Sequence, residues 1–324
     1  MDKKVFERPY IKKLQAGMPG KFGMKPRMEP ITHIDDNGVS DLIGKFGSPL
    51  FVISEKTIRE TYKKAKHAFT TRYPKVQFAW SYKTNYLDAV CRVFHSEGSW
   101  AEVVSGFEYD KALLNGVKGS QIIFNGPDKN DEDLKKAVEN DSLIHIDHFD
   151  EMYSILALSE TLGKKPKVAI RVNMDTGVYP MWDRFGFNYE NGDAWDAINR
   201  IMVNEKLELV GLHAHIGTYM MSANTYKIAA GKLADLAYGI EKKYGVNIKY
   251  IDMGGGFASQ NTLKGAYYPG SDTTPTFSEY AEAISSAILN SNLDPRKRDA
   301  LILEAVRALV DDAGYLLGTI IANK

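Results

Sequence analysis

Short apolar or β-branched runs alternate along the chain with longer stretches in which apolar residues recur at helical spacing. Eight runs predict strands, over 76–82, 101–105, 122–125, 143–147, 168–172, 207–215, 248–253 and 301–304. The stretches between them predict helices over 87–96, 106–115, 131–140, 149–162, 193–204, 223–244 and 278–289. Strand alternating with helix implies a parallel α/β sheet. Eight repeats with near-continuous apolar strands favour a closed (β/α)8 barrel, the TIM barrel, over an open doubly wound sheet. In that architecture chemistry collects at the C-terminal ends of the strands. Lys83, Ser105, Asn125, Asp147, Arg171, His215 and Glu304 stand at those ends.

Both ends of the chain break this rhythm. Residues 1–45 are rich in Lys, Pro, Gly and Met with weak periodicity, and read as an arm or appended extension. The barrel domain is expected over 46–310. It opens with one further strand, Ser48 to Ile53, which leads through Ser54 as N-cap into a helix over 55–69. Residues 311–324 read as the start of an incomplete C-terminal β-domain, whose apolar segment from Tyr315 is expected to find nothing to pair with.

Composition narrows the function classes. The 41 basic residues balance 41 acidic ones, and no basic run with interleaved aromatics appears, which argues against nucleic acid as a partner. The first residues, Met1-Asp2-Lys3-Lys4-Val5-Phe6-Glu7-Arg8-Pro9, carry no apolar targeting core, and no stretch is long enough to span a bilayer. A cytoplasmic enzyme acting on a small molecule is the expectation. The single cysteine, Cys91, lies at helical spacing beside Val90 and Val93 and reads as a small core residue.

Two motifs carry chemistry of their own. Gly254-Gly255-Gly256 directly follows the seventh predicted strand, where a glycine run frees the backbone to turn its N–H groups toward an anion. A lone triplet is more often only a tight turn, but the loops after strands seven and eight are the usual phosphate site of this barrel. No G-x-G-x-x-G opens a helix after the first strand, so there is no dinucleotide fingerprint. His213 and His215 share one face of the sixth strand. They read either as a metal pair completed by Glu304 or Asp147, with a modified Lys83 as bridge, or as one imidazole in an organic cofactor site beside a structural neighbour. The other strand ends offer mostly Lys, Ser, Asn and Arg, a poor metal set.

Four segments together point further. Phe78-Ala79-Trp80-Ser81-Tyr82-Lys83-Thr84-Asn85, Ala101-Glu102-Val103-Val104-Ser105-Gly106-Phe107-Glu108, Gly211-Leu212-His213-Ala214-His215-Ile216-Gly217-Thr218 and Gly254-Gly255-Gly256-Phe257 resemble the pyridoxal-phosphate-dependent decarboxylases of the alanine racemase fold. Within that group the chain is most similar to diaminopimelate decarboxylases, over residues 41–314. The resemblance implies that Lys83 holds pyridoxal 5'-phosphate through a Schiff base and that His215 stacks on its ring. It implies that Gly217, Thr218, Gly254, Gly255 and Gly256 bind the phosphate, and that Glu304 meets the pyridine nitrogen. Arg307 would lie near phosphate and substrate. Glu102, in place of the family's usual aspartate, would stand with Ser105, Asn125 and Arg171 in the surrounding layer that orders the site.

The chemistry so implied is loss of an amino acid's carboxylate as CO2, with the cofactor ring as electron sink. Glu304 suits that sink, because a carboxylate favours a protonated ring nitrogen. An arginine in its place would suit a racemase, so Glu304 favours decarboxylation. Burial is expected to lower the Lys83 amine and let it transfer protons at neutral pH. The family's Glu-Pro-Gly-Arg motif reads Glu304-Ala305-Val306-Arg307 here, and Val306 is expected to crowd the phosphate turn. A partner subunit of the family's homodimer would supply a cysteine motif and a tyrosine that nothing in these residues matches. The expected function is therefore decarboxylation of diaminopimelate or a related basic or polar amino acid. The alternatives are a non-catalytic pyridoxal-phosphate binder, an amino-acid racemase and a metal-dependent barrel hydrolase. Tyr267, Tyr268 and Asp272, in the loop 257–292, are candidates for the substrate pocket, with exposed loop residues as the plainer reading.

Overall fold

The structure, a computed structural model, describes residues 30–261, 270–298, 300–304 and 307–322. Eight parallel strands close into a ring: Val76–Ser81, Trp100–Val103, Ile122–Phe124, Leu143–Ile146, Lys167–Asn173, Glu208–His213, Tyr250–Asp252 and Ala300–Leu303. Closure is made where Leu301, Ile302 and Leu303 pair with Val76, Gln77 and Phe78. The (β/α)8 barrel is therefore as expected, and each strand falls within a few residues of its predicted run. The strands end early for a useful reason. Lys83, Ser105, Asn125, His215 and Glu304 all follow the last ladder pair, so their backbones are free to turn at the barrel mouth.

Period-two alternation sorts each strand's side chains. Outward residues such as Phe78, Trp80, Val103, Phe124, Ile146, Ile170, Leu212, Ile251 and Leu303 pack under the helices in one large core. Inward residues form a second, small core of Ala79, Ile123, Leu143, Ala169, Val210, Tyr250 and Ile302. Further along the same inward faces come Ser81, Glu102, His145, Arg171, His213 and Asp252, all buried. The barrel is thus apolar at its base and polar toward its C-terminal mouth. Gly211 belongs to this arrangement, since a Cβ there would lie 2.2 Å from the inward Tyr250 ring.

The helices cover the outside with caps that the sequence carries. Ser54 accepts the Thr57 amide at 3.0 Å and starts Glu55–Thr70, as predicted. Thr276 and Glu279 form a full capping box at the head of Phe277–Leu289. Helices Phe149–Leu162, Asp193–Asn204 and Ala223–Tyr244 match their predicted spans. Cys91 is buried in the outer core, and burial pushes its thiol up to about 11.

The C-terminal segment departs from expectation. Gly314–Leu317 pairs antiparallel with Leu50–Ile53, so the apolar segment beginning at Tyr315 does have a partner. That partner lies more than 250 positions upstream, and local periodicity carries no record of such a pairing. Within the stretch read as an arm, His33–Ile34 pairs with Asn37–Gly38, and Val39–Phe46 is a helix. Among the described residues no helix is long and apolar enough to cross a membrane.

Candidate active site

Lys83 lies just beyond the first strand, and its amine is 3.0 Å from both carboxylate oxygens of Glu102. Glu102 is fully buried on the second strand and also accepts the Ser81 hydroxyl. The surrounding layer expected of Glu102 is thus in direct contact with the lysine. Burial by itself would lower the Lys83 ammonium. The charges of Glu102 and Glu304 and the Glu102 hydrogen bond outweigh it, and the amine is raised instead. The expected lowering of Lys83 is therefore overturned: desolvation is the largest single influence, but the two carboxylate charges and the hydrogen bond together outweigh it.

His215 faces Lys83 from the end of the sixth strand. Its Nδ1 accepts the Gly255 amide at 3.2 Å, which leaves Nε2 as the protonated nitrogen of a neutral ring. Burial first, then the positive charges of Lys83 and Arg171, push its pKa down to about 3. His213, two residues earlier, is fully buried and keeps a different company: its Nε2 lies 3.4 Å from Asn125 Nδ2 and 3.6 Å from Glu304 Oε1. Of the two readings of this pair, one imidazole at the ligand site beside a structural neighbour agrees with the geometry, since His215 is not among the side chains that converge around His213. The groups whose potential ligand atoms do converge, within 4.8 Å, are His145, His213, Asp252 and Glu304.

Glu304 and Asp252 form the acidic floor beneath Lys83. Glu304 is 1% exposed and takes a hydrogen bond from Asn125 Nδ2 at 3.3 Å. Burial, the Asp252 charge and the Glu102 charge raise it well above the ordinary carboxyl range. Asp252 accepts the Gly254 amide at 2.8 Å through Oδ1, while its buried Oδ2 has no partner. Burial first pushes Asp252 up to about 7.

The glycine loop holds its shape through a contact no substituted residue would tolerate. Gly256 has φ +86°, and a Cβ there would sit 2.0 Å from the Gly217 carbonyl. The triplet does not turn all its amides outward, because the Gly254 and Gly255 amides are taken by Asp252 and His215. Behind the loop, Phe257 stacks on Tyr226 at 4.7 Å and meets Tyr280 edge-on at 4.9 Å. The Tyr226 hydroxyl donates to the Gly255 carbonyl at 2.7 Å, and the Tyr280 hydroxyl donates to that of Met220 at 2.5 Å. Sequence reasoning missed both tyrosines. The available signal was a tyrosine in the first turn of each of two helices that follow loops at the barrel mouth.

Two cavities flank the Lys83 amine. One, of about 450 Å³, is lined by Lys83, His215, Thr218, Gly256 and Arg307. The other, of about 270 Å³, is lined by Lys83, Asn125, Arg171, Trp182, Phe185 and His215. Arg171 sits with its guanidinium 4.7 Å over the Phe185 ring and 3.6 Å from Asp147. Burial lowers it despite that neighbour. Ser105 stands apart from this constellation. Its side chain accepts the Glu108 amide at 3.3 Å and caps the helix Gly106–Leu114, so it orders an element and not a ligand.

A further pair went unread in the sequence. Lys129 is wholly buried and donates to Glu151 at 2.5 Å, to the Gly126 carbonyl at 2.6 Å and to the His145 carbonyl at 2.9 Å. It thereby ties the loop after the third strand to the fourth strand. Asp272 is exposed and bonds its own neighbour Ser271, the plainer of its two readings. Tyr267, Tyr268, Ala305 and Val306 lie outside the described residues, and with them the expected crowding at Val306.

The profile of a family described as pyridoxal-dependent decarboxylase, pyridoxal binding domain, matches residues 55–311. A diaminopimelate decarboxylase of Methanocaldococcus jannaschii is 32% identical over 302 residues, covering 89% of this chain and 66% of its own length. One of Bacillus subtilis is 29% identical and is covered to 68%. A crystal structure of the M. jannaschii enzyme superposes with a TM-score of 0.79 at 30% identity, over 88% of this chain and 66% of that one. Its complex with L-lysine gives 0.78 at 29% identity, over the same shares of the two chains. The chain spans about two thirds of the length of the curated relatives it matches.

Proposed function

The chain belongs to the pyridoxal-dependent decarboxylases through their pyridoxal-binding domain, and from that premise we propose that it binds pyridoxal 5'-phosphate at Lys83 and removes CO2 from an amino acid. Diaminopimelate is the substrate this reading favours. The diaminopimelate decarboxylases among its relatives support the choice, and so does the relative solved with L-lysine, which is diaminopimelate less one carboxylate. The observation that carries the reading is the position of the Lys83 amine, between a cavity bounded by Gly256, Thr218 and Arg307 and a buried floor of carboxyl groups.

The residues fit the group. Gly256 lines the cavity without a side chain of its own, and Arg307 offers a cation at the same cavity for a phosphate. His215 is a neutral, flat ring beside Lys83, suited to stacking on a heteroaromatic face. Glu304 is raised by burial and by the Asp252 and Glu102 charges, and a pyridine nitrogen meeting its carboxyl completes a hydrogen bond whichever of the two holds the proton. When bound, pyridoxal phosphate supplies the electron sink for the charge left by departing CO2. The protein supplies the rest. Glu102 holds the Lys83 amine in place through both of its carboxylate oxygens, at the edge of the cavity. Arg171 presents a cation to the second cavity, where a substrate carboxylate would find it. We also infer a second subunit at the open mouth, as the resemblance implies, and sedimentation velocity of the purified protein should report a dimer.

Addition of pyridoxal phosphate to the purified chain should produce a visible absorbance band that is absent in Lys83→Ala. Release of CO2 from meso-diaminopimelate, compared with lysine and ornithine, then tests the substrate. Protein that stays colourless under these conditions overturns the reading. A band without CO2 release from any of the three reduces it to cofactor binding alone.

A further inference from the structure

We propose that Asp252 and Glu304 hold one proton between them at neutral pH, and that Asp252 is thereby the positioning residue that keeps Glu304 a hydrogen-bond donor toward a ring nitrogen. The inference rests on the reading above for its ligand but not for its proton. Geometry carries it. Both carboxyl groups are buried to within 1% of full enclosure, and one oxygen of each lies within 4.8 Å of the other and of one ring nitrogen each of His145 and His213.

Among the described residues the charged and titratable groups facing the pair are few, and each can be assigned. Lys83, after the first strand, gives its amine to both oxygens of Glu102 on the second. Arg171, on the fifth strand, has Asp147 of the fourth as its near anion at 3.6 Å. Asn125, after the third strand, donates to Glu304 but carries no charge. His145, on the fourth strand, and His213, on the sixth, are kept neutral by burial and by the positive charges around them. Tyr250, next to Asp252 on the seventh strand, is kept protonated by burial, and its hydroxyl meets His145 Nε2 at 3.0 Å. Two cations, Lys83 and Arg171, therefore face four carboxyl groups, Glu102, Asp147, Asp252 and Glu304, and the first two of these are already the cations' partners. Two uncompensated carboxylates this close in a dry interior cannot both stay ionised.

One proton resolves the conflict and explains a vacant bond. Asp252 Oδ2 is buried without a donor, and a protonated Glu304 beside it supplies one. The upward displacement of both groups agrees with this assignment. When a ring nitrogen arrives, the proton passes from the Glu304 oxygen to the nitrogen lone pair. Glu304 becomes the carboxylate that faces the new cation, and Asp252 remains charged throughout. No proton need be drawn from solvent for this step.

Infrared titration of the ligand-free full chain tests the pair directly. A protonated carboxyl signal is expected at pH 7, absent in Glu304→Gln and shifted in Asp252→Asn to a midpoint at least one pH unit lower. Should Asp252→Asn not fold, Asp252→Glu is expected to fold and to restore the wild-type midpoint. Buffer-dependent calorimetry of pyridoxal phosphate binding adds a second readout: Asp252→Asn should take up close to one more proton than wild type. The inference is overturned by the absence of a protonated carboxyl at pH 7, by an unmoved midpoint in Asp252→Asn, or by a stoichiometric divalent metal that displaces the proton. Failure of pyridoxal phosphate to bind would defeat the proposed function, and the infrared titration would still decide this one.

Discussion

The floor and the rim of the barrel mouth are built on different principles. The floor, made of Glu102, Asn125, His213, Asp252 and Glu304, is buried and sits on or directly beyond strands. The rim is made of Lys83, His215 and Thr218 on loops and of Arg307 at the head of the short helix Arg307–Val310, and it is partly open, with 40% of the Lys83 side chain exposed. Strand-borne groups are fixed by ladder pairing on both sides, so their charges can be set against one another without water to screen them. Loop-borne groups keep freedom to admit and release a ligand. The contrast teaches where pre-organisation resides: proton bookkeeping belongs to the floor, and capture belongs to the rim.

Breaking the support under the floor should give the largest effect. Glu151→Ala leaves the Lys129 ammonium buried and unpaired, and we expect a loss of about 3–5 kcal/mol in urea unfolding. The double variant Lys129→Met with Glu151→Leu should recover only part of it, since the apolar pair removes the stranded charge but leaves the Gly126 and His145 carbonyls and the Asp147 amide without these partners. A rim change ranks next. Gly256→Ala forces a Cβ against the Gly217 carbonyl at a left-handed φ, and should cost roughly 1–3 kcal/mol in stability. Fluorescence titration should show pyridoxal phosphate affinity reduced at least ~10-fold, or about 1.4 kcal/mol.

The pH dependence of stability separates the two regions further. His215 in the native protein stays neutral down to about 3, whereas the unfolded side chain binds a proton at about 6.5. The unfolded state therefore holds more protons in that window, and this contribution is full above pH 6.5 and lost as pH falls toward 3. Its greatest slope is about 1.4 kcal/mol per pH unit. His215→Gln should flatten the acid limb of the stability curve by that amount. The Asp252–Glu304 pair has the opposite sign: both groups are raised in the native protein, so the pair's contribution is full below the unfolded carboxyl range and lost as pH rises through its native range. Asp252→Asn should flatten the neutral limb instead. The smallest effect belongs to Asp272→Ala, an exposed position that accepts the Ser271 hydroxyl, where unfolding should change by less than ~0.5 kcal/mol and cofactor affinity not at all.

The legible part of this site was whatever a strand's phase and end reveal. Lys83, His215 and Glu304 were found because each follows an apolar run, and the (β/α)8 closure followed from eight such runs. Glu102 was assigned to the surrounding layer because one sequence position cannot report a contact with the end of a neighbouring strand. Ser105 shared the strand-end signature of the others and proved to be a helix cap, because capping and ligand contact call on the same residue types. Tyr226, Tyr280, Lys129 and Glu151 gave no strand signal, since they act on the site from helices and loops.

By itself the sequence determined the fold class, the order of the strands, the location of the reactive end and the resemblance to pyridoxal-dependent decarboxylases. These follow from periodicity and from motifs a few residues long, which are local properties. Only the tertiary structure decided that Lys83 is raised and not lowered, that His213 and His215 serve different neighbourhoods, that the segment from Tyr315 pairs with Leu50–Ile53, and that Asp252 and Glu304 must settle one proton between them. Each of these depends on the distance between groups far apart in the chain, and electrostatics and hydrogen bonding are functions of distance and burial that no sequence spacing encodes.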